Sequence, residues 1–250
     1  MGAQRVIETT NLSKYYGPQA AVKELSFHVQ EGEIFGFLGP NGAGKTTTIL
    51  MLLGLTEPSG GDARVCGFNP TREPLKVKRL VGYLPEHVGF YRDMTARENL
   101  QYVARLNGIP DRISSKKIDE ALEIVGLSGD AKKMVGAFSR GMNQRLGIAE
   151  VLIKDPTICF LDEPTLGLDP DGAIRMIELI KNLSRERNIT MLICSHNLDQ
   201  MQRISQRVGI MIKGKLVAMG PMADLAKEKL GVGRKTYTLE EIYMKYFHEG

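Results

Sequence analysis

Residues 34 to 55 read IFGFLGPNGAGKTTTILMLLGL. A strand-like apolar run, Ile34 to Leu38, meets Gly39-Pro40-Asn41-Gly42-Ala43-Gly44-Lys45-Thr46, and an apolar helical stretch follows. The pattern G-x-x-x-x-G-K-T between a strand and a helix is a phosphate cradle. Its glycines let the backbone wrap an anion, so the amides from about Gly42 to Thr46 point at the phosphates. Lys45 adds a point charge for the β and γ groups, and the Thr46 hydroxyl is suited to Mg²⁺. The stretch therefore implies a nucleoside triphosphate site at the end of a buried strand.

Further strand-like runs are Val6 to Thr9, Ser26 to Val29, Leu80 to Leu84, Thr157 to Leu161, Thr190 to Cys194 and Val208 to Ile212. TICFL and TMLIC are apolar without alternation, as in strands covered on both faces of a parallel sheet. ICFLDE ends its strand on Asp162, placed for a metal, and Glu163, one step on, placed to polarise a water. TMLICSH ends another on Ser195 and His196. Strand carboxyl ends in such sheets converge on the ligand, which moves His196 from a structural role toward the site.

Between Thr95 and Lys154 the pattern turns helical. Thr95 and Glu98 predict a capping box opening a helix that stops at Gly108 and Pro110, with further helices over Ile118 to Val125 and Met142 to Ile153. A helical block thus interrupts a strand-and-helix core, with no internal repeat. After Gly220-Pro221 a charged stretch ends in TLEEIYMKYF. There Leu239, Ile242, Tyr243, Tyr246 and Phe247 share one helical face behind a Thr238/Glu241 capping box.

Composition narrows the function. A net charge of +4, spread over scattered lysine and arginine pairs, gives no nucleic-acid stripe, so no nucleic acid is expected as partner. Cys66, Cys159 and Cys194 lie far apart among apolar neighbours, without metal-ligand spacing or a disulfide framework, and suit a reducing compartment. No apolar run near the N-terminus resembles a signal peptide, and ILMLLGL is far shorter than the roughly 18 residues of a membrane span. A soluble, cytoplasmic protein is the expectation.

Residues 136 to 149, GAFSRGMNQRLGIA, pose a second question: Ser139, Gly141 and a helix N-terminus make another anion site, far from the first. With the P-loop, FSRGMNQR, ICFLDEP, GLDP and SH in this order, the chain from about residue 5 to 220 resembles the nucleotide-binding subunit of an ATP-binding cassette (ABC) transporter. The YLPE stretch, the FSRGM form and the short helical lobe look most like the ATPases of ABC-2-type exporters of bacteria and archaea.

The resemblance implies an α/β, RecA-like P-loop NTPase core with a mainly parallel sheet, an N-terminal antiparallel β subdomain and an inserted α-helical subdomain. It places the ATPase domain at 1–220, the helical insertion at about 87–153 and a C-terminal extension at 221–250. It also implies a homodimer in the ATP-bound state, in which the signature of one copy closes over the γ-phosphate held by the other. Carried over by position, Gly39, Pro40, Asn41, Gly42, Ala43, Gly44, Lys45, Thr46 and Thr47 hold ATP, and Tyr16, or less readily Tyr15, stacks on adenine. Thr46, Asp162 and Glu86 face Mg²⁺, Glu163 is the general base, and His196 and Lys45 complete the catalytic set. Ser139 and Gly141 act in trans, and Asp169 lies at the dimer interface. The partner implied is a transmembrane permease subunit, which would hold the chain peripherally on the cytoplasmic side of the cell membrane.

Two positions depart from the family pattern. Glu86 stands where glutamine is usual, and Arg140 where the first signature glycine is usual. Glutamate keeps the acceptors, loses a donor and adds a charge; Arg140 is expected to offset that charge across the dimer. The function implied is an ATP-hydrolysing subunit driving export; the alternative is a soluble mechanical or regulatory ATPase of the same superfamily.

Overall fold

In a computed structural model the described residues are 4–230 and 238–249. A six-stranded sheet runs β5-β6-β7-β3-β8-β9, formed by Val81–Leu84, Ile158–Asp162, Thr190–Ser195, Ile34–Leu38, Arg207–Ile212 and Lys215–Pro221. All neighbours pair in parallel except β8 and β9. Every residue of β3, β6 and β7 is buried, which is why these segments lack a period-2 pattern. A separate antiparallel sheet runs β2-β1-β4, from Gln19–Gln30, Arg5–Tyr16 and Gly60–Val65.

Two apolar cores flank the large sheet. On one side Phe27 of β2 stacks with Phe35 and Phe37 of β3 at centroid separations of 5.7 and 5.3 Å, clamping the small sheet and helix α1 (Lys45–Leu52) to the strands. On the other lie α3 (Ala96–Leu106), α4 (Asp111–Ile124), α5 (Arg140–Leu152), α6 (Pro170–Arg187) and α7 (Leu198–Ile204). The Thr95/Glu98 capping box opens α3: the Glu98 N–H donates to Thr95 Oγ1 at 3.2 Å and the Thr95 N–H to Glu98 Oε2 at 2.8 Å. Buried Asn99 of α3 accepts from the Tyr91 N–H at 2.9 Å and donates to the Tyr91 carbonyl at 3.0 Å. This anchors the loop that leaves β5 and carries Glu86.

Several elements differ from the sequence-based expectation. β1 and β2 each span 12 residues because bulges let polar stretches stay paired. β4 and β9 escaped notice: GGDARV exposes four of its six positions, and the interior of KLVAMGP is only partly buried, as edge strands allow. Leu80 closes a short helix α2 (Pro74–Leu80) instead of opening β5. α4 begins at Asp111, well before Ile118, since its first turns are polar. Past Pro221 the charged stretch forms α8 (Met222–Leu230).

Helix α9 (Leu239–Glu249) carries the second capping box, with Thr238 N–H to Glu241 Oε2 at 3.0 Å and Glu241 N–H to Thr238 Oγ1 at 3.2 Å. Leu239, Ile242 and Tyr246 are buried against the body, Tyr243 partly so, while Phe247 is exposed. The Leu239 N–H donates to Gln202 Oε1 of α7 at 2.6 Å. Cys66, Cys159 and Cys194 are free thiols, the last two buried. Burial pushes the Cys159 thiol up to about 12.

Candidate functional site

The P-loop is built around Gly44. This residue caps α1 with φ +104°, and a methyl group there would come 2.4 Å from the Ala21 carbonyl oxygen of β2. Only glycine meets both demands. The Lys45 side chain is buried and folds back on the loop, donating from Nζ to the Gly39 carbonyl at 2.7 Å and the Pro40 carbonyl at 3.2 Å. Those acceptors satisfy an ammonium that could not otherwise be buried. Lys45 Nζ also lies 4.0 Å from Glu163 Oε1.

Strand β6 delivers the acids. Thr46 Oγ1 donates to Asp162 Oδ2 at 2.7 Å, joining the loop to the strand end. Glu163 turns at φ +48°, its N–H donating to the Cys194 carbonyl at 2.9 Å. Its buried carboxylate accepts from Ser195 Oγ at 3.1 Å and from the His196 N–H at 3.0 Å, and His196 Nδ1 lies 2.7 Å from Oε1. Burial raises the Asp162 carboxyl above its ordinary value; the Thr46 hydroxyl and Lys45 pull it back, while Glu163 and Glu86 add to the rise. Hydroxyl and carboxylate oxygens with excess negative charge fit a hard divalent cation.

A cavity of about 340 Å³ is lined by Asn41 to Thr47, Glu86, Asp162 and Glu163, together with Gln19, Ala20 and Ala21. The last three were not anticipated, because small hairpin residues that line a cavity leave no chemical signal in a sequence. Tyr16, at the end of β1, is exposed, stands outside this lining and lies under the Lys14 ammonium at 5.1 Å. Gly39 and Pro40 face Lys45 through their carbonyls, and His196 reaches the cavity only through Glu163.

The stretch read as a second anion site lies elsewhere. Ser139 caps α5 by accepting from the Met142 N–H at 3.2 Å. Ser139, Gly141 and Asp169 share a cavity of about 220 Å³ with Arg140, Arg145 and Arg175. No residue lines both this cavity and the P-loop cavity. Between them a cleft of about 510 Å³ is lined by both Glu86 and Arg140. The two departures from the family pattern thus line one cleft within a single chain. The Arg140 guanidinium rests on Gly167, where a methyl group would come 2.4 Å from Arg140 Cζ.

A family model described as "ABC transporter" matches residues 22–166. The bacitracin transport ATP-binding protein BcrA of Bacillus licheniformis is 48% identical over 222 residues, covering 89% of this chain and 72% of that protein. The chain belongs to the ABC transporter family. The linearmycin resistance ATP-binding protein LnrL of Bacillus subtilis is 36% identical over 88% of this ABC chain and 70% of its own length. A solved ATP-binding subunit of an ABC transporter superposes with a TM-score of 0.85 at 28% identity, covering 97% of this chain and 99% of the other. The fold is the α/β P-loop NTPase fold of that family, and the protein is an ATP-binding, ATP-hydrolysing subunit of a transport system.

Proposed function

We propose that two copies of this ABC subunit close around two ATP molecules, and that hydrolysis reopens them to drive export through a separate transmembrane permease. The observation that carries the pairing is the separation of the P-loop and signature cavities within one chain. Ser139 lines no part of the cavity that Lys45 lines, and a second copy would complete each half-site.

Within each site Lys45 would exchange the Gly39 and Pro40 carbonyls for the β and γ phosphates, while the amides from Gly42 to Thr47 cradle them. Tyr16, paired in the hairpin with Gln19 of the cavity lining, would stack on the adenine. Mg²⁺, when bound by Thr46 and Asp162 with Glu86 on the same wall, would offset phosphate charge as the leaving group departs. Glu163, held by Ser195 and by His196 donating from its N–H and Nδ1–H, accepts the proton of the attacking water. The products are ADP and phosphate. From the second copy, Ser139 and the Gly141 amide donate to the γ-phosphate, and Asp169 reports one site to the other.

Residues 1–220 form the ATPase unit in this scheme, with 87–153 as the helical insertion and 221–250 as an extension. Among the described residues no helix is long and apolar enough to cross a membrane, which supports a separate permease and a peripheral position on the cytoplasmic face. Glu86 lines both the nucleotide cavity and the 510 Å³ cleft, which supports transmission to the permease on that face. The relatives named for bacitracin transport and linearmycin resistance support export of a toxic compound.

The test is the solution mass of Glu163→Gln with ATP and Mg²⁺. Losing a general base slows chemistry by about 10² to 10⁴-fold, so a closed dimer should persist, and Ser139→Arg should abolish it. A chain that stays monomeric at saturating ATP, alone and with its co-purified membrane protein, refutes the pairing.

A further inference from the structure

We infer that Gln200 is a positioning residue for Glu163: it closes a ring of hydrogen bonds that holds the general base by its carboxylate and by its backbone at once. The ring starts at Glu163 Oε2, which accepts from Ser195 Oγ at 3.1 Å. Ser195 Oγ in turn accepts from the Asn197 N–H at 3.0 Å. Asn197 caps α7, its Oδ1 accepting from the Gln200 N–H at 3.1 Å. Gln200 Oε1 then accepts from Thr165 Oγ1, two residues beyond Glu163, and the ring is complete.

The backbone between β6 and α6 needs such a tie. Glu163 sits at φ +48°, a left-handed conformation that an ordinary residue keeps only where its surroundings enforce it. Two overlapping turns follow, with the Leu166 N–H on the Glu163 carbonyl at 3.0 Å and the Leu168 N–H on the Thr165 carbonyl at 3.2 Å. These bonds are local: they shape the loop without fixing it to the rest of the fold. The Thr165 hydroxyl does fix it, because its acceptor stands on a different element, α7. Thr165 is 9% exposed and, with Gln200 and Ser195, walls a small cavity whose other sides include Ile177, Ile180 and Ile193. A hydroxyl in such apolar surroundings is costly without its acceptor. Losing the Gln200 oxygen therefore releases the loop that starts at Glu163. Gln200 lines neither the nucleotide cavity nor the signature cavity, so its loss should slow chemistry without weakening ATP binding.

The inference rests on Glu163 acting as the general base proposed above. Its test is ATP hydrolysis by the full chain, read as kcat and KM for ATP. Gln200→Leu and Thr165→Val should each lower kcat by about 10- to 100-fold, the scale of a reacting group misplaced by about 1 Å. KM should stay within about twofold, the mark of an interaction that serves the transition state alone. The double variant should lose no more than either single one, since both break the same bond. Gln200→Glu keeps the acceptor and Thr165→Ser keeps the donor, so each should retain most of the rate.

In the Glu163→Gln chain, where the base is gone, Gln200→Leu should change the residual single-turnover rate by less than about twofold. Thermal unfolding checks that each variant is folded, and Gln200→Ala replaces Gln200→Leu if the latter is not. An unchanged kcat, a KM that moves with it, no rescue by either conservative variant, or a loss in the Glu163→Gln chain as large as in wild type overturns the ring. A Glu163→Gln chain that hydrolyses ATP at the wild-type rate overturns the assignment of the base itself, and the ring's role with it.

Discussion

Gly42→Ala and Gly44→Ala place the same methyl group two residues apart in the P-loop and separate backbone strain from contact. Gly42 has φ +78° with nothing within 4 Å of the added carbon. Gly44 has φ +104°, and its added carbon meets the Ala21 oxygen at 2.4 Å, Met211 Cε at 3.1 Å and Val22 Cγ2 at 3.1 Å. Left-handed backbone costs an ordinary residue about 1–2 kcal/mol, which is all that Gly42→Ala should lose. Gly44→Ala adds overpacking of about 1–3 kcal/mol, and its closest contact is backbone that no rotamer change can move, for a total of about 2–5 kcal/mol. Urea unfolding of the three proteins gives the difference directly. ATP affinity should fall more for Gly44→Ala, because the strand β2 contact pushes on the start of α1 and on the amides that cradle phosphate. If Gly44→Ala proves no less stable than Gly42→Ala, the close approach of β2 is not what selects glycine at position 44.

Other expectations follow from single contacts. Ser139→Ala removes the α5 cap and should cost about 1 kcal/mol in urea unfolding, whereas Ser139→Asn, which can still accept from the Met142 N–H, should stay within a few tenths. Glu33 is buried, and both its oxygens bond to Arg207 Nη1, at 3.0 and 3.1 Å. Arg207→Met should therefore cost about 3–5 kcal/mol, with most of it regained when Glu33→Gln is added. The Thr95 N–H and hydroxyl hold Glu98 below its usual carboxylate value of 4.5. Its contribution is thus present above that value and lost as pH falls through the depressed one, so Glu98→Gln should flatten part of the acid limb of thermal unfolding.

Legibility followed the physics of each segment. Fully buried strands such as IFGFL, TICFL and TMLIC announce themselves because covering both faces demands unbroken apolar runs. The capping boxes at Thr95 and Thr238 were readable because they are local, closed within four residues. The edge strands β4 and β9 were not, since an edge carries polar residues and takes its pairing from a neighbour far along the chain. The same limit hid Gln19, Ala20 and Ala21, which line the nucleotide cavity through their position in a hairpin and not through their chemistry.

The family itself, the P-loop, the acids of β6 and the helix start at Ser139 were determined by sequence alone. Each rests on residue types at short, fixed spacing, where local backbone geometry leaves little freedom. Tertiary structure decided which of these groups meet. It joined Thr46 to Asp162 and Glu163 to Ser195 and His196, kept Lys45 and Ser139 in separate cavities, and brought Glu86 and Arg140 to one cleft. Such meetings depend on strand order and helix packing over the whole chain, and no local pattern of residues encodes them.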